Sequence, residues 1–176
     1  ILDKANIPID SKLTFSISID DPLGKNVDLI SYNEYFGWYY VTFFAEQMMI
    51  PEGTLRRLMF EVMPEIKISS SFNKPIHISE FGAGAQYGNH SDKIWSEGYQ
   101  AEVYSGQLEM LSRNPQVQGI SPWVLKDFRA MLRPLPGIQD FYNRKGLIDE
   151  KGNKKEAFKV LADFYKNQWD ENLIQN

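Results

Sequence analysis

The chain has 176 residues, 43% of them hydrophobic and 24% charged, which is the composition of one globular domain, residues 1–176, with a core of its own. A formal charge of -4 argues against a nucleic-acid partner, which would select a basic face. With no cysteine and two histidines, His77 and His90, neither a disulfide framework nor a thiolate or histidine-rich metal site can be built, and no pattern implies an organic cofactor.

No stretch approaches the roughly 20 apolar residues of a membrane span, so no membrane partner is expected. Ile1-Leu2-Asp3-Lys4 carries neither an initiator Met nor a signal pattern; such a start reads as internal to a longer chain and leaves localisation unknown. Aromatic residues reach 14%. Rings suit the C–H face of a sugar, and they suit a bulky core equally well.

Residues 1–12 read as a polar lead-in. Leu13, Phe15, Ile17 and Ile19 then alternate with Thr14, Ser16 and Ser18, the period of a strand. Asp20-Asp21-Pro22-Leu23-Gly24 breaks it with turn chemistry. A second strand covers Val27 to Tyr32. Leu55, Leu58, Val62 and Ile66 have helical spacing, which Pro64 should kink or end. The third strand, Pro75 to Glu80, holds β-branched residues, ends on a carboxylate and meets glycine at once, as a strand does when its end delivers a side chain into a site. Gly82 and Gly84 would let the chain turn there without crowding a ligand.

Ser96 can cap a helix whose face is Ala101, Tyr104, Leu108 and Leu111, with Glu97 in its first turn. Asn114-Pro115 ends that helix, and Val117 to Leu125 is the fourth strand. Lys126 to Asn143 looks irregular. The lysines between 151 and 155 read as a solvated start to a last helix marked by Ala157, Leu161 and Phe164. Strands alternating with helices imply a parallel sheet covered by helices.

Several of these words resemble glycoside hydrolase family 2, the β-glucuronidase and β-galactosidase family. Ile78-Ser79-Glu80-Phe81-Gly82-Ala83 resembles its nucleophile strand. Asn33-Glu34-Tyr35-Phe36-Gly37-Trp38-Tyr39 is similar to its Asn-x-Tyr-x-x-Trp-Tyr segment. Trp95-Ser96-Glu97-Gly98-Tyr99-Gln100 resembles its Trp-Ser-Glu-Glu-Tyr-Gln helix start, a structural feature. Gly119 to Phe128 resembles the strand that places a tryptophan under the sugar, and Asn143-Arg144-Lys145 its Asn-x-Lys.

The resemblance runs from about Leu13 to the last helix. It implies an α/β fold, the C-terminal half (strands five to eight) of a (β/α)8 barrel, with its site at the C-terminal strand ends. It also implies a retaining hydrolase of β-linked sugars, of β-glucuronidase or β-galactosidase type. Glu80 would be the nucleophile, with Tyr35 hydrogen-bonded to it. Asn33, Tyr39, His90 and Trp123 would line the sugar site, Trp123 as a stacking platform. Asn143 and Lys145 would bind a sugar carboxylate, the charge-assisted pairing such a group needs, or else form a surface turn.

Arg133 is a further candidate for that carboxylate, Glu34 a rim residue, His77 a core histidine, and Asp127 a loop holder. The family's acid/base, a Glu preceded by Asn on strand four, has no counterpart here, so the chain reads as half an enzyme, inactive alone. The carbohydrate substrate is the expected partner, with a second copy or the rest of a parent chain at the open sheet edges. The competing readings are a non-catalytic carbohydrate-binding half-barrel and a structural half-barrel that dimerises.

Overall fold

The computed structural model describes residues 15–38 and 41–174. Leu13 and Tyr39, and the lead-in before Leu13, lie outside them. In chain order the elements are β1 (Ser16–Ser18), β2 (Ile30–Asn33), α1 (Val41–Met48), α2 (Glu52–Val62), β3 (Lys67–Ser69), β4 (Ile76–Phe81), α3 (Glu97–Ser112), β5 (Val117–Pro122), β6 (Phe128–Arg129), β7 (Tyr142–Asn143) and α4 (Glu156–Ile174). Pro64 does end α2, in a turn of 3-10 helix over Met63–Glu65.

The fold is mixed α/β, with small sheets. Strands β2, β4 and β5 form one parallel sheet in the order β2-β4-β5. The alternation of strands and helices foretold that parallel pairing. It did not foretell what the first strand does. β1 pairs with β3, a short strand absent from the sequence reading, and joins no sheet with β2. β3 is a three-residue Lys-Ile-Ser with one buried side chain, Ile68, too short to show a period. Residues 126–143 also hold more order than expected, because β6 and β7 close the segment as an antiparallel pair.

The core lies between the three-stranded sheet and helices α3 and α4. Ile76, Ile78 and Phe81 are 0% exposed, and they meet Tyr104, Leu108 and Leu111 of α3 and Leu161 of α4. Each such side chain contributes roughly 1.5–3 kcal/mol by leaving water. Helix α3 starts where Ser96 caps it, the Ser96 hydroxyl accepting from the Tyr99 amide at 3.1 Å.

One irregularity positions everything that follows. Along β4, Ile78 pairs with Tyr32 of β2 and Glu80 with Asn33, while on the other side Ile78 pairs with Ile120 and Phe81 with Pro122. Against both neighbours β4 therefore carries an extra residue, a bulge at Ser79–Glu80. Strict alternation would have put Glu80 in the buried series with Ile76 and Ile78. The bulge gives that buried place to Phe81 and frees Glu80, which is partly exposed.

Candidate active site

Glu80 stands at the C-terminal end of β4, between strand ends that bring Asn33 on one side and Trp123 on the other. The Tyr35 hydroxyl donates to Glu80 Oε2 at 2.7 Å. Ser79 Oγ donates to Asn33 Oδ1 at 2.7 Å, tying the two strand ends together. The Trp123 amide donates to the Phe81 carbonyl at 2.9 Å, so the tryptophan follows directly from sheet pairing. Its ring stands edge-on to Phe128, 6.3 Å away. The peptide bond between Trp123 and Val124 is cis.

Asn143 ends β7, and beyond it the side chains of Arg144 and Lys145 part. Lys145 is 4% exposed, and its ammonium lies 5.8 Å from the centre of the Tyr35 ring. Tyr35 thus joins the carboxylate and the cation, by its hydroxyl on one and its ring on the other. Asn143 Oδ1 accepts from the Lys145 amide at 3.2 Å, which fixes the turn. Arg144 goes the other way, onto the Tyr142 ring at 4.6 Å, Glu150 at 2.6 Å and Asp127 at 3.3 Å.

That other side is a closed knot. Asp127 Oδ1 accepts from the Gly146 amide at 2.8 Å and from Lys155 Nζ at 2.9 Å. Lys155 Nζ also donates to the Ala85 and Arg144 carbonyls, at 2.6 and 3.1 Å. Burial pushes Asp127 up and Lys155 down, each toward its neutral form, and their mutual attraction opposes that. Asp127 therefore holds the 144–146 turn. Lys155, read as part of a solvated helix start, is 2% exposed and sits in this knot. Lysine 155 shares its sequence neighbourhood with two exposed lysines, and only the fold tells them apart.

Glu97 is likewise structural: its carboxylate accepts from the Gly88 amide at 2.6 Å and the Glu156 amide at 3.0 Å, pinning a loop to the start of α4. Gln100 spans the Ala83 and Gly146 carbonyls at 2.8 and 3.2 Å, linking the β4 end to the Lys145 turn. Gly82 has φ +130°, and a side chain there would meet the Tyr104 hydroxyl at 2.6 Å. Gly84 is small for a different reason from the expected one, since a Cβ would strike the indoles of Trp95 and Trp38 at 2.7 and 2.9 Å.

Three residues fall elsewhere than expected. His90 is exposed, and its Nδ1 faces Glu156 of α4 at 3.3 Å; no bond joins it to Glu80, Tyr35 or Lys145. Glu34 is no rim residue. It is 1% exposed, directed into the interior toward Gln107 of α3. Arg133 lies between β6 and β7 and is bonded to neither Asn143 nor Lys145. His77 pairs with Ser121 Oγ at 3.0 Å, as a core histidine does. Among the described residues no group of three or more His, Cys, Asp or Glu is placed to hold a metal ion, and no helix is long and apolar enough to cross a membrane.

A cavity of about 780 Å³ lies between the β2 end and helices α1 and α2, lined by Tyr32, Asn33, Tyr35, Phe44, Met48 and Leu58 among others. Its lining is apolar and does not include Glu80 or Lys145. A sugar needs hydroxyl partners, and this lining offers few of them.

In sequence and fold the chain that carries this arrangement is similar to glycoside hydrolases, β-glucuronidases and a family 2 β-galacturonidase among them. No family model matches it. The β-glucuronidase of Sus scrofa is 30% identical over 155 residues, spanning 85% of this chain and 22% of that protein. The β-glucuronidase of Streptococcus agalactiae serotype V is 27% identical over 147 residues, spanning 81% and 22%. A family 2 β-galacturonidase from Eisenbergiella tayi, solved bound to galacturonate, superposes with a TM-score of 0.61 at 27% identity, over 84% of this chain and 25% of that one. The chain spans about a fifth to a quarter of the length of these relatives.

Proposed function

We propose that this chain is the nucleophile-bearing, C-terminal half of the catalytic barrel of a retaining glycosidase acting on β-linked uronic acids. The observation that carries the reading is the Glu80–Tyr35–Lys145 chain: a carboxylate at a strand end, a phenol on it at 2.7 Å, and a buried ammonium on the other side of that phenol. In the reaction Glu80 attacks the anomeric carbon as the glycosidic bond breaks, and the leaving oxygen takes a proton from an acid/base carboxyl. Water then reverses the attack with help from the same group. That second carboxyl must stand about 5–5.5 Å from Glu80 in a retaining enzyme. It would come from the other half of the barrel, whose strands would add at open strand edges.

Tyr35 orients Glu80, and its hydroxyl hydrogen bond stabilises the carboxylate as leaving group in the second step. Asn33 and Trp123 flank the sugar. Lys145, held out of water with Asn143 at its turn, is suited to a sugar carboxylate, because a desolvated cation gains most from an opposite charge. The relatives' names support this reading in kind: two are β-glucuronidases and the third is a β-galacturonidase solved with galacturonate.

An activated aryl β-glucuronide is the most forgiving substrate, since its leaving group needs little protonation. The purified chain is expected to show no turnover of it above a Glu80→Gln control, general-acid help alone being worth about 10²–10⁴-fold. Turnover that vanishes in the control would mean that the chain assembles a whole site, overturning the half-barrel reading.

A further inference from the structure

Glu34 sits between Asn33 and Tyr35, the two residues that β2 brings to Glu80, yet its own side chain turns inward. There Oε1 accepts from the Phe36 amide and, at 3.3 Å, from the Gln107 side-chain amide. Gln107 is held in turn by donating to the Phe36 carbonyl at 2.6 Å. Two oxygens remain, Glu34 Oε2 and Gln107 Oε1, both buried and both without a hydrogen-bond partner. These two acceptors, on side chains joined to each other through their other polar atoms, lack a donor. A carboxylate cannot supply one; a carboxylic acid can.

Among the described residues no positive charge compensates a negative one on Glu34. Gln107 of α3 is neutral. Tyr32, on β2, has a phenol pushed up by burial and then by the charge of Glu34. From β4 comes the Glu80 carbonyl, which accepts the Glu34 amide at 2.8 Å. Among the described residues no basic side chain acts on Glu34.

We propose that Glu34 is a neutral carboxylic acid in the folded protein and a positioning residue for Glu80, its proton completing the clamp that sets the Tyr35 turn. The bonded length is short: Glu34 ties the turn to β4 through its amide and to α3 through its side chain, and Tyr35 follows directly. Burial pushes the Glu34 carboxyl from its ordinary 4.5 up to about 8, opposed by the Phe36 and Gln107 hydrogen bonds. Folded Glu34 thus keeps its proton where unfolded Glu34 loses it. Its contribution to stability is whole below the ordinary range, declines as pH rises from about 4.5 to about 8, and is flat above. The positioning role rests on the function proposed above; the protonation does not.

The test is nuclear magnetic resonance of the 176-residue chain labelled with ¹³C at the glutamate δ-carbons and tyrosine ζ-carbons. Labelling glutamate alone excludes Asp127, which burial also pushes up. The wild type should show a glutamate carboxyl titrating near pH 8 that is missing in Glu34→Gln. The Tyr35 signal, identified by Tyr35→Phe, should move with the same midpoint. In Glu34→Gln, which keeps a neutral donor and acceptor, it should stay still; in Glu34→Ala it should be displaced at every pH. If no glutamate titrates above the ordinary range, the proposal is overturned from the wild type alone, whether or not the variants fold. A Glu34 that titrates near 8 without moving Tyr35 overturns the positioning role. Neither readout uses turnover, so failure of the glycosidase reading would show separately.

Discussion

Two regions of this molecule pair a lysine with a carboxylate near the same turn, and they are built to opposite ends. In the Asp127–Lys155 knot every donor is met: Lys155 reaches Asp127 and two carbonyls, and Asp127 takes Gly146 and Arg144 besides. Such a closed set holds three segments in register and leaves nothing for a ligand. Around Glu80 the carboxylate and the ammonium do not touch. Tyr35 meets both, its hydroxyl on Glu80 and its ring 5.8 Å from the Lys145 ammonium. A carboxylate and a cation joined through a phenol and not to each other form the arrangement we propose as a site, whereas the knot is a strut.

Breaking the knot should cost most. Lys155→Met leaves Asp127 buried with Arg144 as its remaining cation, and removing one partner of a buried pair typically costs about 3–5 kcal/mol. Urea unfolding of the chain should show it, and Asp127→Leu added to Lys155→Met should recover much of the loss, because the pair's own net contribution is small. At the site the same deletion should act on function. In an active enzyme carrying this sequence, Lys145→Ala should lower kcat/KM on a β-glucuronide by about 2–5 kcal/mol relative to a β-galactoside. Equal losses on both would return Lys145 to a turn-holding role.

Tyr35→Phe comes next. It removes one hydrogen bond to a charged group, worth about 1.5–3 kcal/mol, and should slow turnover while leaving the urea midpoint nearly unmoved. The smallest effect belongs to the exposed Lys159–Asp163 pair on α4, whose side chains are 80% and 56% exposed. Lys159→Ala should change stability by no more than about 0.5 kcal/mol. A loss there as large as that of Lys155→Met would undo the contrast between open and closed pairs.

Much of this was legible in the chain. The β4 strand, the Ser96 cap, the end of α2 at Pro64 and the parallel pairing of β2, β4 and β5 follow from period, capping and proline chemistry acting over a few residues. What was hidden depends on partners far along the chain. The bulge at Ser79–Glu80 exists only in relation to β2 and β5. Lys155 is buried because Asp127, Ala85 and Arg144 converge on it, and no local signal separates it from Lys151 and Lys154. Glu34 looked like a rim residue from its neighbours in sequence; Gln107, on another element, turns it inward. β1 ran to β3 although alternation alone suggested a neighbour in the main sheet. Helix α1 is only eight residues long, shorter than the window over which a helical period shows.

The central claim is that Glu80 forms the covalent bond to the sugar. A 2-deoxy-2-fluoro uronic acid carrying a good leaving group slows both steps of a retaining reaction and lets the glycosyl-enzyme accumulate. Applied to the active enzyme that contains this sequence, followed by proteolysis and mass spectrometry, it should leave one sugar ester, on the peptide spanning Ile76–Phe81, at Glu80, and none in Glu80→Gln. An ester on Glu34, or turnover that continues in the Glu80→Gln enzyme, would contradict the account.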